Sequence, residues 1–222
     1  MGHIVALHSL PRAGKDTLAE LLCNNYGYTR LAFATALYKE VAEAYGVSVE
    51  LLQSDDWKKR PQASLALRNC KDMDFVKVAL NLNHAFGEPL TSRQVLQLWG
   101  TEYRRRQNKE YWIDQLDEQL SHLYWYESKR LFAISDARVY HDTKGNPQYN
   151  EAEYLLQRCA ELGLGYAMVE ITREGVEHTG HGSDDRFPDE FITNVVGNNG
   201  EPVDMLPQIA PFIAGTPQYN PE

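Results

Sequence analysis

The chain has 222 residues, 43% of them hydrophobic and 24% charged, with a formal net charge of −9. That length and balance suit one large domain, or a core domain with an inserted lobe, with enough apolar residues for a sizeable core. The acidic balance argues against a DNA-coating or membrane-surface role, but it leaves room for a local cradle of cations around a small anion. Cys23, Cys70 and Cys159 are scattered, with no Cys-x-x-Cys or Cys/His cluster. Neither a disulfide framework nor a zinc site is expected, and a reducing cytoplasm is the simplest location. No signal peptide is read at the start, and no apolar run approaches the ~20 residues of a membrane span.

Residues 4–17 read Ile-Val-Ala-Leu-His-Ser-Leu-Pro-Arg-Ala-Gly-Lys-Asp-Thr. The apolar run 4–7 is long enough for a buried parallel strand. A turn with Pro11 and Gly14 follows, and Leu18, Ala19, Leu21 and Leu22 then recur at helical spacing. Strand, tight loop, Gly-Lys and helix is the layout of a phosphate-binding P-loop. Such a loop turns backbone N–H groups inward, and the helix N-terminus adds a partial positive charge. The usual pattern is G-x-x-x-x-G-K-[ST]; here Ser9 stands at the first glycine and Asp16 at the Ser/Thr, with Thr17 next. Ser9 substitutes for glycine if its φ is negative. Asp16 suits Mg²⁺, a cation that prefers carboxylates. The same residues also suit an ordinary turn and helix start.

Further along, a strand is expected within 28–33, then a helix over 35–45 stopped by Gly46, and a short helix 49–53 capped by Ser48. This β-α-β-α rhythm is that of an α/β sandwich. Between 54 and 90 the rhythm breaks into an inserted helical segment. Its charge run 55–60 reads as a solvated face, and a helix is expected over 72–86. Helices follow at 91–103, with Thr91 or Ser92 as cap, and at 111–126. The strand 130–135 ends at Asp136. A helix over 150–162 takes Asn150 as cap and Gly163 as stop. Strands at 166–171 and 191–196 and a Pro-interrupted helix at 203–213 complete the elements, with a loose tail beyond.

Ser135-Asp136-Ala137-Arg138 sits at the carboxyl end of a strand, where open α/β sheets place ligand groups. Asp136 there suits Mg²⁺ or a substrate hydroxyl, and Arg138 suits a phosphate; a surface ion pair would read the same way. Among the arginines after residue 90, Arg93 has the best case for facing a phosphate, and Arg104, Arg105 and Arg106 read as mostly solvent-facing. Residues 170–185 are polar, Gly- and His-rich and without period, the composition of a mobile lid. His178 and His181 stand three apart, but no third zinc ligand is evident.

Gly14-Lys15-Asp16-Thr17, Lys39, Arg93 with Gly100-Thr101 and Trp112, Asp136-x-Arg138 before Asn150-Glu151-Ala152-Glu153, Arg173, and Ile192-Thr193-Asn194 occur in that order. This ordered set resembles the bacteriophage-type deoxynucleoside monophosphate kinases, a branch of the P-loop nucleotide kinases. The likeness covers residues 1 to about 46 and about 91 to 200. It implies a three-layer P-loop sandwich with a parallel sheet, an inserted helical monophosphate-binding lobe at about 47–128 and a lid at about 173–188. It implies Mg²⁺-dependent transfer of the γ-phosphoryl of ATP to a deoxynucleoside monophosphate. Carried over by position, Arg12, Ala13, Gly14, Lys15, Asp16 and Thr17 would hold ATP, with Asp16 toward the metal. Lys15, Arg93 and Arg138 would stabilise the transferring group. Lys39, Arg93 and Arg138 would face the acceptor phosphate, Asp136 and Glu153 its sugar or base, and Gly100, Thr101 and Trp112 would line the acceptor site. The resemblance implies no nucleic-acid or membrane partner and places a phage-encoded chain in the host cytoplasm; a homodimer stays open. So do two other readings: a P-loop kinase for another acceptor, such as dephospho-coenzyme A or an alcohol with Asp136 as base, and a non-catalytic nucleotide-binding module.

Overall fold

The computed structural model describes residues 2–141, 144–178 and 185–213. Residues 179–184 of the expected lid, His181 among them, and the end of the tail lie outside them. The chain divides into two compact units, one made of Met1–Ala32 with Leu116–Glu222, the other of Phe33–Gln115.

The first unit is built on a five-stranded parallel sheet in the order β2-β3-β1-β6-β7. The apolar run extends to His3–Ser9 as β1, the central strand, with Ile4, Val5, Ala6 and Leu7 fully buried. A strand covered on both faces needs such a continuous apolar run. β2 is Thr29–Leu31, β3 Leu131–Ile134, β6 Gly165–Thr172 and β7 Asn194–Gly197. The register pairs Ala6 with Ile134 on one side and Met168 on the other; β3 ends at that level, while β1 and β6 run on together to the Ser9–Ile171 pair.

Helices flank the sheet. The helix α1, Lys15–Tyr26, buries Leu18, Ala19 and Leu22 with Val5, Leu7, Ala133 and Val169. The short helix α9, Met205–Ile209, adds Met205, Leu206 and Ile209 to the same cluster. Alternation along β1 turns Ile4 and Ala6 to the other face. On the helix α8, Asn150–Leu162, Ala152, Leu155 and Cys159 are buried, and α8 contacts β1 and β6. The cap of α8 differs from expectation: Asn150 is its first helical residue, preceded by Tyr149, and no side chain caps it. A small hairpin also appears, β4 (Tyr140–His141) against β5 (Pro147–Gln148). Two-residue strands carry too little alternation to show in a sequence.

Helices dominate the second unit. They are α2 (Ala34–Tyr45), α3 (Val49–Gln53), α4 (Asp55–Lys59), α5 (Met73–Asn81), α6 (Ser92–Gln97) and the start of α7 (Tyr111–Trp125). Thr91 and Gln94 cap α6 reciprocally, a capping box. Helix α5 is shorter than expected: it ends at Asn81, Leu82 caps it, and Asn83 then turns to φ 66°. The chain beyond α6 winds wider, as π-helix over Leu98–Arg105. The core here is aromatic: the Phe75 ring lies 4.6 Å from Trp99 and 5.7 Å from Tyr103, centroid to centroid. The charge run forms the exposed ion pairs Lys59–Asp55 and Arg60–Asp56, one turn apart. No helix among the described residues is long and apolar enough to cross a membrane.

Candidate anion cleft at the end of the central strand

β1 ends at Ser9 and α1 begins at Lys15, so five residues make the turn. Left-handed backbone falls on Arg12 (φ 70°) and Gly14 (φ 114°), not on Ser9, which still pairs with Ile171 in the sheet. This explains the serine: that position is strand, and strand backbone needs no glycine. The Ser9 hydroxyl donates to the carbonyl of Leu10 at 2.9 Å. Positive-φ residues in a short loop gather backbone N–H groups on one side, a concavity that favours anions. The first N–H groups of α1 also lack helical acceptors and add to it.

A cleft of about 270 Å³ opens over this loop, lined by Arg12, Gly14, Lys15, Asp16, Thr17, Arg173, Asn198, Gly200 and Pro202. Three cations and one carboxylate border it. Lys15 Nζ donates to Asp16 Oδ2 at 2.9 Å, and Arg30 also pairs with Asp16. Asp16 remains 57% exposed, so both pairs are open to exchange with an incoming anion or cation. Ala13 is buried beneath the loop.

The end of β3 is tied to this region at two points. Arg30 Nε donates to Ser135 Oγ at 3.1 Å while one of its terminal nitrogens donates to Asp16. The His8 ring donates from Nδ1 to the carbonyl of Ala137 at 3.2 Å, which places the proton on Nδ1. Burial holds the His8 pKa below the usual imidazole range, so the ring is neutral at pH 7. Asp136 is buried and Arg138 exposed. The backbone N–H of Arg138 donates to Glu151 Oε2 at 2.9 Å, and Glu151 is almost fully buried. Glu153, the residue singled out by position, lies exposed on α8.

The remaining candidates belong to the second unit. Lys39, Arg93 and Thr101 are exposed, while Gly100 and Trp112 are buried. Trp112 Nε1 donates to the carbonyl of Gly100 at 3.2 Å, and a side chain at Gly100 would meet Leu37. Trp112 thus holds the π-helical turn from behind. Arg104 does not face solvent as expected. Its Nε donates to Glu40 at 2.7 Å, and its guanidinium lies 4.6 Å from the Tyr103 ring and 5.1 Å from the Tyr111 ring. Trp99 Nε1 and the Tyr111 hydroxyl donate to the same Glu40 carboxylate, at 2.8 and 2.5 Å. The physical reason is the wider winding of 98–105, which puts Trp99, Tyr103 and Arg104 on one side around Glu40.

Asp185 accepts from His178 at 2.9 Å and from His141 at 3.0 Å. Among the described residues no group of three or more His, Cys, Asp or Glu is arranged to hold a metal ion.

Sequence reasoning gave no role to Arg30, His8 and Asn198 in the first unit or Glu40 in the second, and it quoted Glu151 but assigned the role to Glu153. Asn198 carried a usable signal: it is a polar residue directly after an apolar strand, where ligand groups gather in open α/β sheets. Glu40 carried none, being one acid in an amphipathic helix. A scan against protein-family models finds no match to this chain, and a search of the curated proteins finds none either.

Proposed function

We propose that the chain is a P-loop kinase that moves the γ-phosphoryl of ATP onto a deoxynucleoside 5′-monophosphate. The observation that carries the reading is the β1–α1 loop: left-handed backbone at Arg12 and Gly14, the head of α1, and Lys15 together border one open cleft. That is the chemistry a triphosphate requires, N–H groups plus a mobile ammonium. The order of Lys39, Arg93, Gly100-Thr101, Trp112 and Asp136-x-Arg138 along the chain adds the acceptor class.

In this reading Arg12 to Thr17 hold the ATP phosphates. Arg93, Arg138 and Lys39 neutralise the acceptor phosphate and the transferring group. The helical unit is the acceptor lobe and the segment around 173–188 the lid. Asp136, buried at the end of β3, serves the acceptor sugar or base. An acceptor phosphate oxygen bonds to the γ-phosphorus as the bond to the β–γ bridging oxygen breaks and ADP leaves. That acceptor oxygen is already ionised at neutral pH, so no general base is needed. A single exposed carboxylate at the cleft fits Mg²⁺, which binds through one or two carboxylates, substrate phosphates and water. Asp16 is that carboxylate, and the ion would supply charge neutralisation on the phosphates.

The test is a coupled ADP-release assay across the deoxynucleoside and ribonucleoside monophosphates. Turnover with at least one deoxynucleoside monophosphate is expected. Failure with every monophosphate, but turnover on an alcohol or dephospho-coenzyme A, moves the assignment to another acceptor. ATP binding without turnover on any acceptor makes the chain a binding module.

A further inference from the structure

We infer that Asn198 is a positioning residue for the anion cleft, aiming the Gly14 N–H by gripping the carbonyl of the preceding residue. The inference rests on the phosphate-binding reading of the cleft.

Asn198 follows directly on β7, and its own backbone N–H donates to the carbonyl of Thr172 at 2.8 Å. Its backbone is therefore fixed to the end of β6. Its side chain is buried, the whole residue being 6% exposed. Nδ2 donates to the carbonyl of Ala13 at 2.8 Å, a bond across 185 positions of sequence. Packing is close as well: a β-carbon built on Gly14 would stand 2.3 Å from Nδ2. The loop and the amide thus occupy adjoining space with none to spare, and Asn198 also lines the cleft.

The consequence follows from peptide geometry. A trans peptide points its C=O and its N–H in opposite directions. The Ala13 carbonyl and the Gly14 N–H share one peptide plane, so holding the first aims the second. Glycine has wide φ freedom, and without a grip on this plane the loop would have other orientations available. A pre-aimed donor binds an anion without a reorganisation cost, the general advantage of preorganised dipoles. An amide suits the task because the Ala13 oxygen requires a donor. A carboxylate of the same shape would offer none and would place a negative charge beside an anion site.

The experiment compares the wild type with Asn198→Ala, Asn198→Asp and Asn198→Gln. Two readouts are used: the Gly14 amide resonance and its hydrogen exchange without ligand, and ATP affinity by calorimetry. Thermal midpoints identify any variant that fails to fold, and the remaining variants then decide. Asn198→Ala is expected to shift the Gly14 amide, speed its exchange and weaken ATP binding about ten-fold, the loss of one hydrogen bond. Asn198→Asp should weaken it further, and Asn198→Gln should recover part of the loss. If the enzyme turns over, the KM for the acceptor stays put while that for ATP rises. Wild-type ATP affinity in folded Asn198→Ala and Asn198→Asp, or an unmoved Gly14 amide, overturns the inference and leaves the phosphate reading intact. A wild-type protein that binds no ATP overturns both.

Discussion

The β1–α1 loop and the π-helical turn at 98–105 both carry arginine or lysine beside a carboxylate, and they use them in opposite ways. Lys15 leans on Asp16, a neighbour that is more than half exposed, and borders an open cleft. Arg104 is enclosed by Trp99, Tyr103 and Tyr111 and tied to Glu40, which two further donors share. An exposed pair contributes little and is readily exchanged, so it leaves a cation available to a ligand. A pair enclosed by rings contributes packing as well as charge, and its cation is spent on the fold. The number of cations in a stretch of sequence therefore does not reveal how many can meet a ligand.

This contrast can be broken by substitution. The largest effect is expected in the aromatic core beneath Arg104. Phe75→Ala should cost about 3–5 kcal/mol in urea unfolding, since the ring is fully buried against Trp99, Tyr103 and Tyr45. Lys15→Met should reduce phosphoryl transfer by at least about 10²–10³-fold, the scale for losing one charge-stabilising donor. Its thermal midpoint should hardly move, because methionine keeps the apolar stem of the lysine and the ion pair lost is to a carboxylate that is 57% exposed. Wild-type turnover would remove Lys15 from the site, and loss of the fold would erase the contrast. Glu40→Ala strands three donors at a partly exposed position and should cost about 1–3 kcal/mol, read from the same unfolding curves. No effect there would make Arg104 as dispensable as an ordinary surface arginine.

The gentlest probe is pH. Burial lowers the pKa of both His3 and His8, while an unfolded histidine titrates near 6.5. As pH falls below that value the unfolded chain takes up protons that the folded chain still refuses. The two histidines therefore subtract stability below pH 6.5, and the loss levels off once their folded pKa values are passed. The urea midpoint should fall between pH 7 and 5, and His8→Gln should flatten part of that slope. An unchanged slope would mean that His8 protonates equally well in both states.

Much of the first unit was legible because its information is local. β1 is a continuous apolar run, α1 starts at the expected Lys15 and ends at Tyr26, and Gly163 stops α8 in the left-handed conformation. The region 54–90 was the least legible, since short helices such as α4 and the 3₁₀ turns at Ala63–Leu65 and Leu67–Asn69 are too brief to show a period. Helix α6 is legible in part: of the two expected caps, Thr91 and Ser92, Thr91 is the one used, yet nothing in the helical spacing of Val95, Leu96, Leu98 and Trp99 announces that the helix widens after Gln97.

Sequence alone determined that a strand, a tight Gly-Lys loop and a helix stand in succession, because strand period, turn chemistry and helix period are properties of neighbouring residues. Only the tertiary structure decided which distant side chains serve that loop. Asn198 reaches Ala13, Arg30 joins Asp16 to Ser135, and Glu151 rather than Glu153 receives the Arg138 N–H. These bonds depend on which strands lie side by side and where each one ends. The order β2-β3-β1-β6-β7 sets both, and no local pattern encodes it.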